Sequence, residues 1–171
     1  MSILFAKRND SGNFDIWRAE LKRAAKPEPF VATQFNESAH RISPTGNYVA
    51  YQSDESGSYQ IYVRPFPSGE GRWMISTNAG TTAKWSPKGD ELFYLQRDTL
   101  MAVPVQVFPV FKPGAPHALF SGKKVGSTLL SFDESLYDVA ADGKRFVVVR
   151  NAKTDQQSSV VLEQGWLAKS Q

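Results

Sequence analysis

Few residues in this chain have the type and spacing that catalysis requires. The sequence contains two histidines, His40 and His117, and no cysteine. A Ser-His-Asp hydrolase places its serine on a turn such as Gly-x-Ser-x-Gly, and that motif is absent. Without cysteine there is no thiolate nucleophile, no disulfide and no thiolate metal ligand. The sequence therefore predicts no catalytic residue, no metal site and no cofactor, and we expect a protein that is not an enzyme.

One short segment has the composition of a calcium-binding loop. Asn9, Asp10, Asn13 and Asp15 place four side-chain oxygen donors within seven residues, and oxygen ligands are what Ca²⁺ prefers. The related hairpin at 53–60 offers fewer such ligands. We interpret both segments as turns in which Asn and Asp side chains bond the backbone.

The best candidates for ligand contacts are three charged residues, Arg41, Lys84 and Asp138. Each lies two residues before a turn serine or the residue that replaces it. We expect them on innermost strands, where they face a central channel or its mouth and contact a polar or anionic ligand. The alternative is that they form ion pairs or are solvated between neighbouring sheets. The sequence leaves both interpretations open.

The strands that would position these residues come from an internal repeat. Gly46 and Gly89 lie 43 residues apart, Gly143 follows 54 residues later, and a second pair, Gly12 and Gly57, is separated by 45. A period near 43 matches one four-stranded blade of a β-propeller. Each glycine turn is followed by an apolar or aromatic run, which indicates a tight hairpin between antiparallel strands. The turn segments are SPTGNYVAYQ (43–52), SPKGDELFYL (86–95) and AADGKRFVVV (140–149).

The repeat predicts an all-β fold of the β-propeller type, with four-stranded antiparallel blades and about three and a half of them. Valine, isoleucine and aromatic residues dominate the strand segments, as a half-buried pleated surface favours. We expect one domain over 1–171. Its blades are a partial one at 2–34 without a first strand, complete ones at 38–77 and 81–121, and a partial one at 135–164.

The secondary structure of two segments is ambiguous from local sequence alone. Residues 16–25 contain good helix formers, but SGNFDIW (11–17) aligns with SGSYQIY (56–62), so we predict a strand. The proline-rich stretch 107–117 cannot be a central strand and is predicted as a long outer connection. The extra residues of the last repeat fall mainly in the link at 122–134.

The turn motifs resemble those of the TolB-type, WD40-like propeller repeats. WSPKGD (85–90) is the nearest copy, ISPTGN (42–47) is similar, and VAADGK (139–144) keeps only the Asp-Gly-Lys part. The order of motifs, with the tail 160–169, is similar to the propellers found C-terminal to bacterial serine/threonine protein kinases, although Glu163–Gly165 depart from that pattern. The resemblance implies a propeller whose complete ring has more blades than this chain, and fold alone does not specify activity.

Charge and hydropathy narrow the compartment and the partners. The net charge is only +3 and the basic residues of the N-terminal third are mixed with acidic ones, so we expect no nucleic-acid partner. No apolar run reaches the length of a membrane span, and the first residues lack the apolar core of a signal peptide. These features predict no membrane partner and favour a cytoplasmic location. The location would be extracytoplasmic if an upstream segment contained a targeting signal.

Taken together, these features predict a non-catalytic binding or protein-interaction module, acting as the sensor or scaffold part of a larger bacterial signalling protein. A protein partner or a small polar ligand would contact loops at the blade rim, where propellers place variable residues. Open sheet edges predict self-association as a homodimer. The alternative is a propeller-type enzyme, such as a carbohydrate lyase, or the gate domain of a peptidase.

Overall fold

The computed structural model describes residues 2–21, 25–129 and 136–150, and the backbone of 159–163. These residues form fifteen β-strands and one short 3₁₀ turn at Gly122–Val125. Among them, no helix is long and apolar enough to cross a membrane. The chain divides into two compact units, 1–83 and 84–171.

The first unit contains two antiparallel sheets that differ by one strand. The first sheet has the order β1 (Ser2–Arg8), β2 (Phe14–Glu20) and β3 (Glu28–Val31). The second sheet has the order β4 (Glu37–Ile42), β5 (Tyr48–Ser53), β6 (Gln60–Pro65) and β7 (Trp73–Met74). An offset of 45 residues brings β1, β2 and β3 onto β5, β6 and β7. Within the described part of the chain, the first sheet therefore has no counterpart of β4.

The third sheet begins with β8, whose first residues belong to the first unit, and the other strands lie in the second unit. Its order is β8 (Thr81–Trp85), β9 (Glu91–Gln96) and β10 (Thr99–Gln106), with both β11 (Lys112–Pro113) and β12 (His117–Ser121) pairing with β10. The fourth sheet has the order β13 (Tyr137–Val139), β14 (Phe146–Arg150) and β15 (Ser159–Glu163). The proline-rich connection thus includes a two-residue strand, β11, that the sequence did not predict. It pairs only with Val105 and Gln106, which is compatible with prolines at a sheet edge.

The three glycine turns have matching geometry. Gly46, Gly89 and Gly143 have φ values of 75°, 73° and 69°, a region that other residues enter at a cost. Each glycine N–H donates to the carbonyl oxygen three residues earlier, at 2.9, 2.9 and 2.8 Å. The three repeats therefore contain the same hairpin between their first two strands, and the all-β propeller fold predicted from their spacing is confirmed.

Serine supports two of these hairpins and aspartate supports the third. The Ser43 hydroxyl accepts a hydrogen bond from the Tyr48 N–H at 3.2 Å, and the Ser86 hydroxyl accepts one from the Glu91 N–H, also at 3.2 Å. The third repeat has alanine in place of serine, and there Asp142 Oδ1 accepts from the Lys144 N–H at 3.0 Å. This explains how a turn without Ser-Pro keeps the same shape.

Strand β2 resolves the conflict between helix propensity and the repeat. It covers Phe14–Glu20 and pairs with β1 over its whole length, from Arg8↔Phe14 to Ser2↔Glu20. Ile16 on β2 is fully buried and joins a cluster of side chains from the first two sheets. The other members of that cluster are Phe30, Val31, Val49, Tyr51 and Tyr62. Burial of this side chain thus outweighs the local preference for helix.

The first strands of the second and third sheets carry the same irregularity. Ala39 on β4 and Thr82 on β8 lie at equivalent repeat positions, and their φ values are 50° and 51°. At Ala39 the pairing with β5 shifts register between Ser38 and Arg41. A residue other than glycine adopts this left-handed backbone conformation at a cost in free energy, and the cost is largest for a β-branched side chain.

A buried glutamine forms hydrogen bonds with both of these first strands. Gln52 Oε1 accepts a hydrogen bond from the Thr82 N–H at 3.0 Å, and Gln52 Nε2 donates to Ser38 Oγ at 3.0 Å. Only 3% of Gln52 is exposed; its bond to Thr82 is buried and its bond to Ser38 is partly buried. The repeat gives no warning of this arrangement, because the aligned residue one period later is Leu95.

Replacing Gln52 by leucine is expected to lower the free energy of unfolding by about 1–3 kcal/mol, because the buried Thr82 N–H and the half-buried Ser38 hydroxyl each lose a partner. Urea denaturation followed by tryptophan fluorescence measures the change. Gln106→Leu is the matched control, since Gln106 is exposed and its loss is expected to cost less than about 0.5 kcal/mol. Equal stability of Gln52→Leu and wild type would contradict the assigned role.

Candidate functional site

Two of the three residues predicted to contact a ligand lie side by side in the second unit. Lys84 is on β8 and Asp138 is on β13, and Lys84 Nζ lies 2.8 Å from Asp138 Oδ1. The Lys84 side chain is 16% exposed, whereas that of Asp138 is 70% exposed. The same Asp138 oxygen accepts a hydrogen bond from the Val139 N–H at 2.9 Å. An ion pair thus joins the first strands of two successive sheets.

Buried aromatic neighbours fix the direction of both charged side chains. Trp85, which follows Lys84, is 8% exposed and packs edge-on to Phe111 with ring centroids 6.5 Å apart. Tyr137, which precedes Asp138, is 2% exposed. Because successive residues of a strand point to opposite faces, burial of the aromatic rings directs the charges to the other face.

The tyrosine also contacts the lysine directly. Lys84 Nζ lies 5.6 Å from the centre of the Tyr137 ring, within the range of a cation–π contact. The ammonium group therefore has an anionic partner and an aromatic one. An exposed ion pair of this kind contributes only about 0–1 kcal/mol to folding, so its charges are available for contacts at little cost in stability.

Arg41, the third predicted residue, belongs to the first unit. It is exposed on β4, and its Nη1 donates to the carbonyl oxygen of His40 at 2.8 Å. The next residue, Ile42, is 38% exposed. The first strand of the second sheet is therefore less covered at this end than β8, where Trp85 is buried.

The histidines have separate environments. Burial lowers the pKa of the His40 imidazole. His117 is exposed at the start of β12. Among the described residues, no group of three or more His, Asp or Glu side chains could hold a metal ion.

The segment that resembles a calcium loop is organised by its own side chains. Asn9 Oδ1 accepts hydrogen bonds from the N–H groups of Ser11 and Asn13, each at 3.1 Å. Asn9 Nδ2 donates to Asp15 Oδ1 at 3.0 Å. These bonds stabilise the turn between β1 and β2 and engage one side-chain oxygen each of Asn9 and Asp15.

Sequence reasoning missed one buried acid, Glu37. It is 1% exposed and accepts hydrogen bonds from the hydroxyl and N–H groups of Thr33. Burial raises the pKa of the Glu37 carboxyl, and the nearby charges of Asp15 and Glu55 raise it further. The repeat contains no signal for this residue, since the aligned position one period later is Gly80.

The proline-rich connection forms a further surface feature. Phe108 and Val110 are 82% and 66% exposed, and the Gln106 amide donates to the Phe108 carbonyl oxygen at 2.8 Å. A shallow groove of about 380 Å³ lies on the same hairpin. It is lined by Pro104, Val105, Gln106, Lys112, Pro113 and Gly114. Large exposed apolar side chains of this kind are typical of interaction surfaces.

Comparison with known proteins supports the fold and leaves the activity open. No family model and no curated protein sequence matches the chain. A structure assigned to TolB from Agrobacterium tumefaciens is similar over 70% of this chain and 45% of its own length, with 18% identity and a TM-score of 0.55. The fold is a TolB-like β-propeller. A structure assigned as a 6-phosphogluconolactonase from Bacteroides uniformis is similar over 94% of this chain and 54% of its own length, with 13% identity and a TM-score of 0.50.

The present chain thus spans about half the length of the similar structures. At such identities the similarity concerns the arrangement of strands and not the chemistry of any site. The same blades occur in structures assigned to different activities, as expected for a fold that hosts many functions.

Proposed function

We propose that this chain is a non-catalytic binding module that recognises a charged ligand or protein segment through the first strands of its blades. The observation that supports the proposal best is the contact between Lys84 and Asp138, which places an ammonium group and a carboxylate 2.8 Å apart. A ligand that carries both charges can replace each partner by its own. Because the sequence resembles propellers found C-terminal to bacterial protein kinases, we propose that the module serves as the sensor or scaffold part of a signalling protein with a kinase.

Lys84 and Asp138 are on well-packed strands but pair only weakly with each other, so a ligand can replace either partner. Tyr137 and Trp85 are buried and hold the strands, whereas Asp138 is largely exposed. The exchange would cost little because an exposed ion pair is screened by water and salt. Binding by this mechanism weakens as ionic strength rises, which is a property of contacts between surface charges.

The residues of the pair favour binding over turnover. A hydrolase of the triad type needs a histidine that activates a nucleophile, and His117, the histidine of the second unit, lies exposed at the start of β12. The alternative function, an enzyme such as a carbohydrate lyase or a peptidase gate domain, predicts conversion of a bound compound. The experiment below separates the two.

The double substitution Lys84→Met with Asp138→Asn is expected to weaken ligand binding by about tenfold or more, equivalent to about 1.4 kcal/mol. Stability should change by less than about 1 kcal/mol, because the pair is a surface pair. A library of anionic and zwitterionic compounds and short peptides is tested for a rise in melting temperature of the wild-type chain. Each stabilising compound is then titrated into the variant.

Asp142→Asn provides the matched control. Asp142 belongs to the same hairpin and forms an ion pair with Arg145, with Arg145 Nε 2.7 Å from Asp142 Oδ2, and should leave binding unchanged. NMR spectra of each bound compound, recorded over hours, detect chemical conversion. Conversion would favour the enzyme, and equal binding by the double variant would place the site elsewhere.

Self-association remains part of the proposed function. Unpaired sheet edges favour pairing with another chain, and we propose a homodimer that covers them. Light scattering over a range of concentrations tests this, and a constant monomer mass at high concentration would contradict it.

A further inference from the structure

Two buried carboxylates lie close together where the first and second sheets pack against each other. Glu37 begins β4 and is 1% exposed, and Asp15 on β2 is 7% exposed. The residues before them are joined directly, because the Phe14 N–H donates to Asn36 Oδ1 at 3.0 Å. Acidic side chains are seldom buried to this degree unless a cation compensates their charge.

In the described part of the chain, a single neighbour supplies the hydrogen bonds of Glu37. The Thr33 hydroxyl donates to Glu37 Oε1, and the Thr33 N–H donates to Oε2 at 3.4 Å. Both donors are uncharged, and the second bond is long. Such bonds offset only part of the free energy that an ionised carboxylate loses on leaving water.

Among the residues that the structure describes, no lysine or arginine forms an ion pair with either buried acid. On the strand paired with β2, Arg8 is directed onto the Phe14 ring, with Cζ 4.8 Å from the ring centre. Near the hairpin between β5 and β6, Arg72 forms its ion pair with Glu55. Because neither cation compensates the buried acids, burial disfavours their ionised forms.

The other elements around Glu37 carry acidic or neutral groups. Asp54, on the hairpin between β5 and β6, accepts a hydrogen bond from the N–H of the residue before Glu37 at 2.9 Å. Burial raises the pKa of Tyr51 on β5 to about 12, so this phenol stays neutral at physiological pH. Burial also raises the pKa of Glu37, and the charges of Asp15 and Glu55 raise it further. Ionisation of Glu37 therefore adds negative charge to a region that is already acidic.

We propose that Glu37 is a proton-controlled contact between the first two sheets, which holds β4 against β2 when the carboxyl is protonated and weakens their packing when it is ionised. A protonated carboxyl has no charge and keeps a hydrogen bond with the Thr33 hydroxyl, which can act as donor or acceptor. An ionised one places a second negative charge beside Asp15. The contact does not involve Lys84 or Asp138, so failure of either proposal leaves the other intact.

The sign of the pH effect follows from proton binding. The ordinary pKa of a glutamate side chain is 4.5, and that of Glu37 is raised above it in the folded chain, first by burial. The folded chain therefore holds this proton more tightly than the unfolded chain does. The stability that Glu37 contributes is fully present below the unfolded pKa and is lost as the pH rises through the folded pKa.

Urea denaturation of the wild-type chain and of Glu37→Gln, at pH values from about 4 to about 9, tests the proposal. Glutamine has nearly the same shape and cannot ionise. We expect the unfolding equilibrium constant of wild type, divided by that of the variant, to rise with pH by up to about tenfold per pH unit where Glu37 titrates. Glu70→Gln is the matched control, since Glu70 is exposed, and its ratio should stay constant within about twofold.

Hydrogen exchange at one alkaline pH locates the effect. The amides of β2 and β4 should exchange faster in wild type than in Glu37→Gln, because only wild type carries the buried charge. The amides of β9 and β10, which belong to the third sheet, should exchange equally in the two proteins.

Asp15→Asn gives a second test that keeps Glu37 in place. Removing the neighbouring charge lowers the pKa of Glu37 toward its ordinary value. The loss of stability should therefore begin at a lower pH than in wild type when each protein is compared with its own Glu37→Gln derivative.

The proposal would be overturned by a ratio between wild type and Glu37→Gln that does not change with pH, or by the same change in Glu70→Gln. It would also be overturned by faster exchange spread evenly over β2, β4, β9 and β10, since the charge would then act on the whole chain rather than on this contact. An unchanged pH dependence in Asp15→Asn would show that Asp15 does not act on Glu37.

Discussion

Replacing Phe146 by alanine is expected to lower the free energy of unfolding by about 3–5 kcal/mol, as for other large aromatic residues removed from a core. Phe146 on β14 is 1% exposed. Its ring centroid lies 4.9 Å from that of Phe93 and 5.8 Å from that of Phe120, both in edge contacts. Alanine would leave a cavity bordered by two rings that belong to another sheet, so the neighbours cannot close it by a small movement.

Urea denaturation followed by circular dichroism measures this loss. Phe108→Ala is the matched control, because Phe108 is 82% exposed and its removal should change stability by less than about 0.5 kcal/mol. A similar loss in the two variants would show that Phe146 does not pack between the third and fourth sheets as described.

Gly122→Ala is expected to destabilise the chain by about 2–4 kcal/mol, because the added methyl group has no space. A Cβ atom at this position would lie 2.3 Å from Asp98 Oδ1 and 2.9 Å from both the Leu129 nitrogen and the Ser127 oxygen. Asp98 cannot move away freely, since its carboxylate accepts hydrogen bonds from the N–H groups of Leu129 at 2.7 Å and Lys123 at 3.1 Å. The substitution would therefore disturb residues 122–129, which follow β12.

A double-mutant cycle tests this reason. Asp98→Ala alone should cost about 1–3 kcal/mol through the lost hydrogen bonds. Combined with Gly122→Ala, it should cost less than the sum of the two, because one of the three close contacts disappears. Additive effects, measured by the same denaturation assay, would indicate that Asp98 does not restrict Gly122.

The blades could be predicted from sequence because their turns are chemically constrained. Gly46, Gly89 and Gly143 adopt a positive φ that few other residues tolerate, so the spacing of glycines marks the hairpins directly. The same alignment showed correctly that residues 16–20 form a strand. Local propensity alone would predict a helix there, because propensity does not account for the burial of Ile16 in the folded chain.

The contacts between sheets could not be predicted in the same way. The positions of Lys84 and Asp138 followed from the repeat, but whether they pair depends on which first strands are adjacent and in what register. Glu37 and Gln52 gave no signal at all, since the next repeat has glycine and leucine at the aligned positions. Strand β11 was missed because two residues are too few for any periodic pattern.

The hydrogen bonds of Gln52 mean that the repeats are not interchangeable modules. Gln52 matches the Thr82 amide and the Ser38 hydroxyl, whereas Leu95 at the aligned position joins an apolar cluster with Phe146 and Val148. In a chimera with shuffled repeats, leucine would contact polar groups and glutamine would contact apolar side chains. The contacts between neighbouring repeats therefore depend on the order of the repeats. A longer array would have to be built by duplicating neighbouring repeats together.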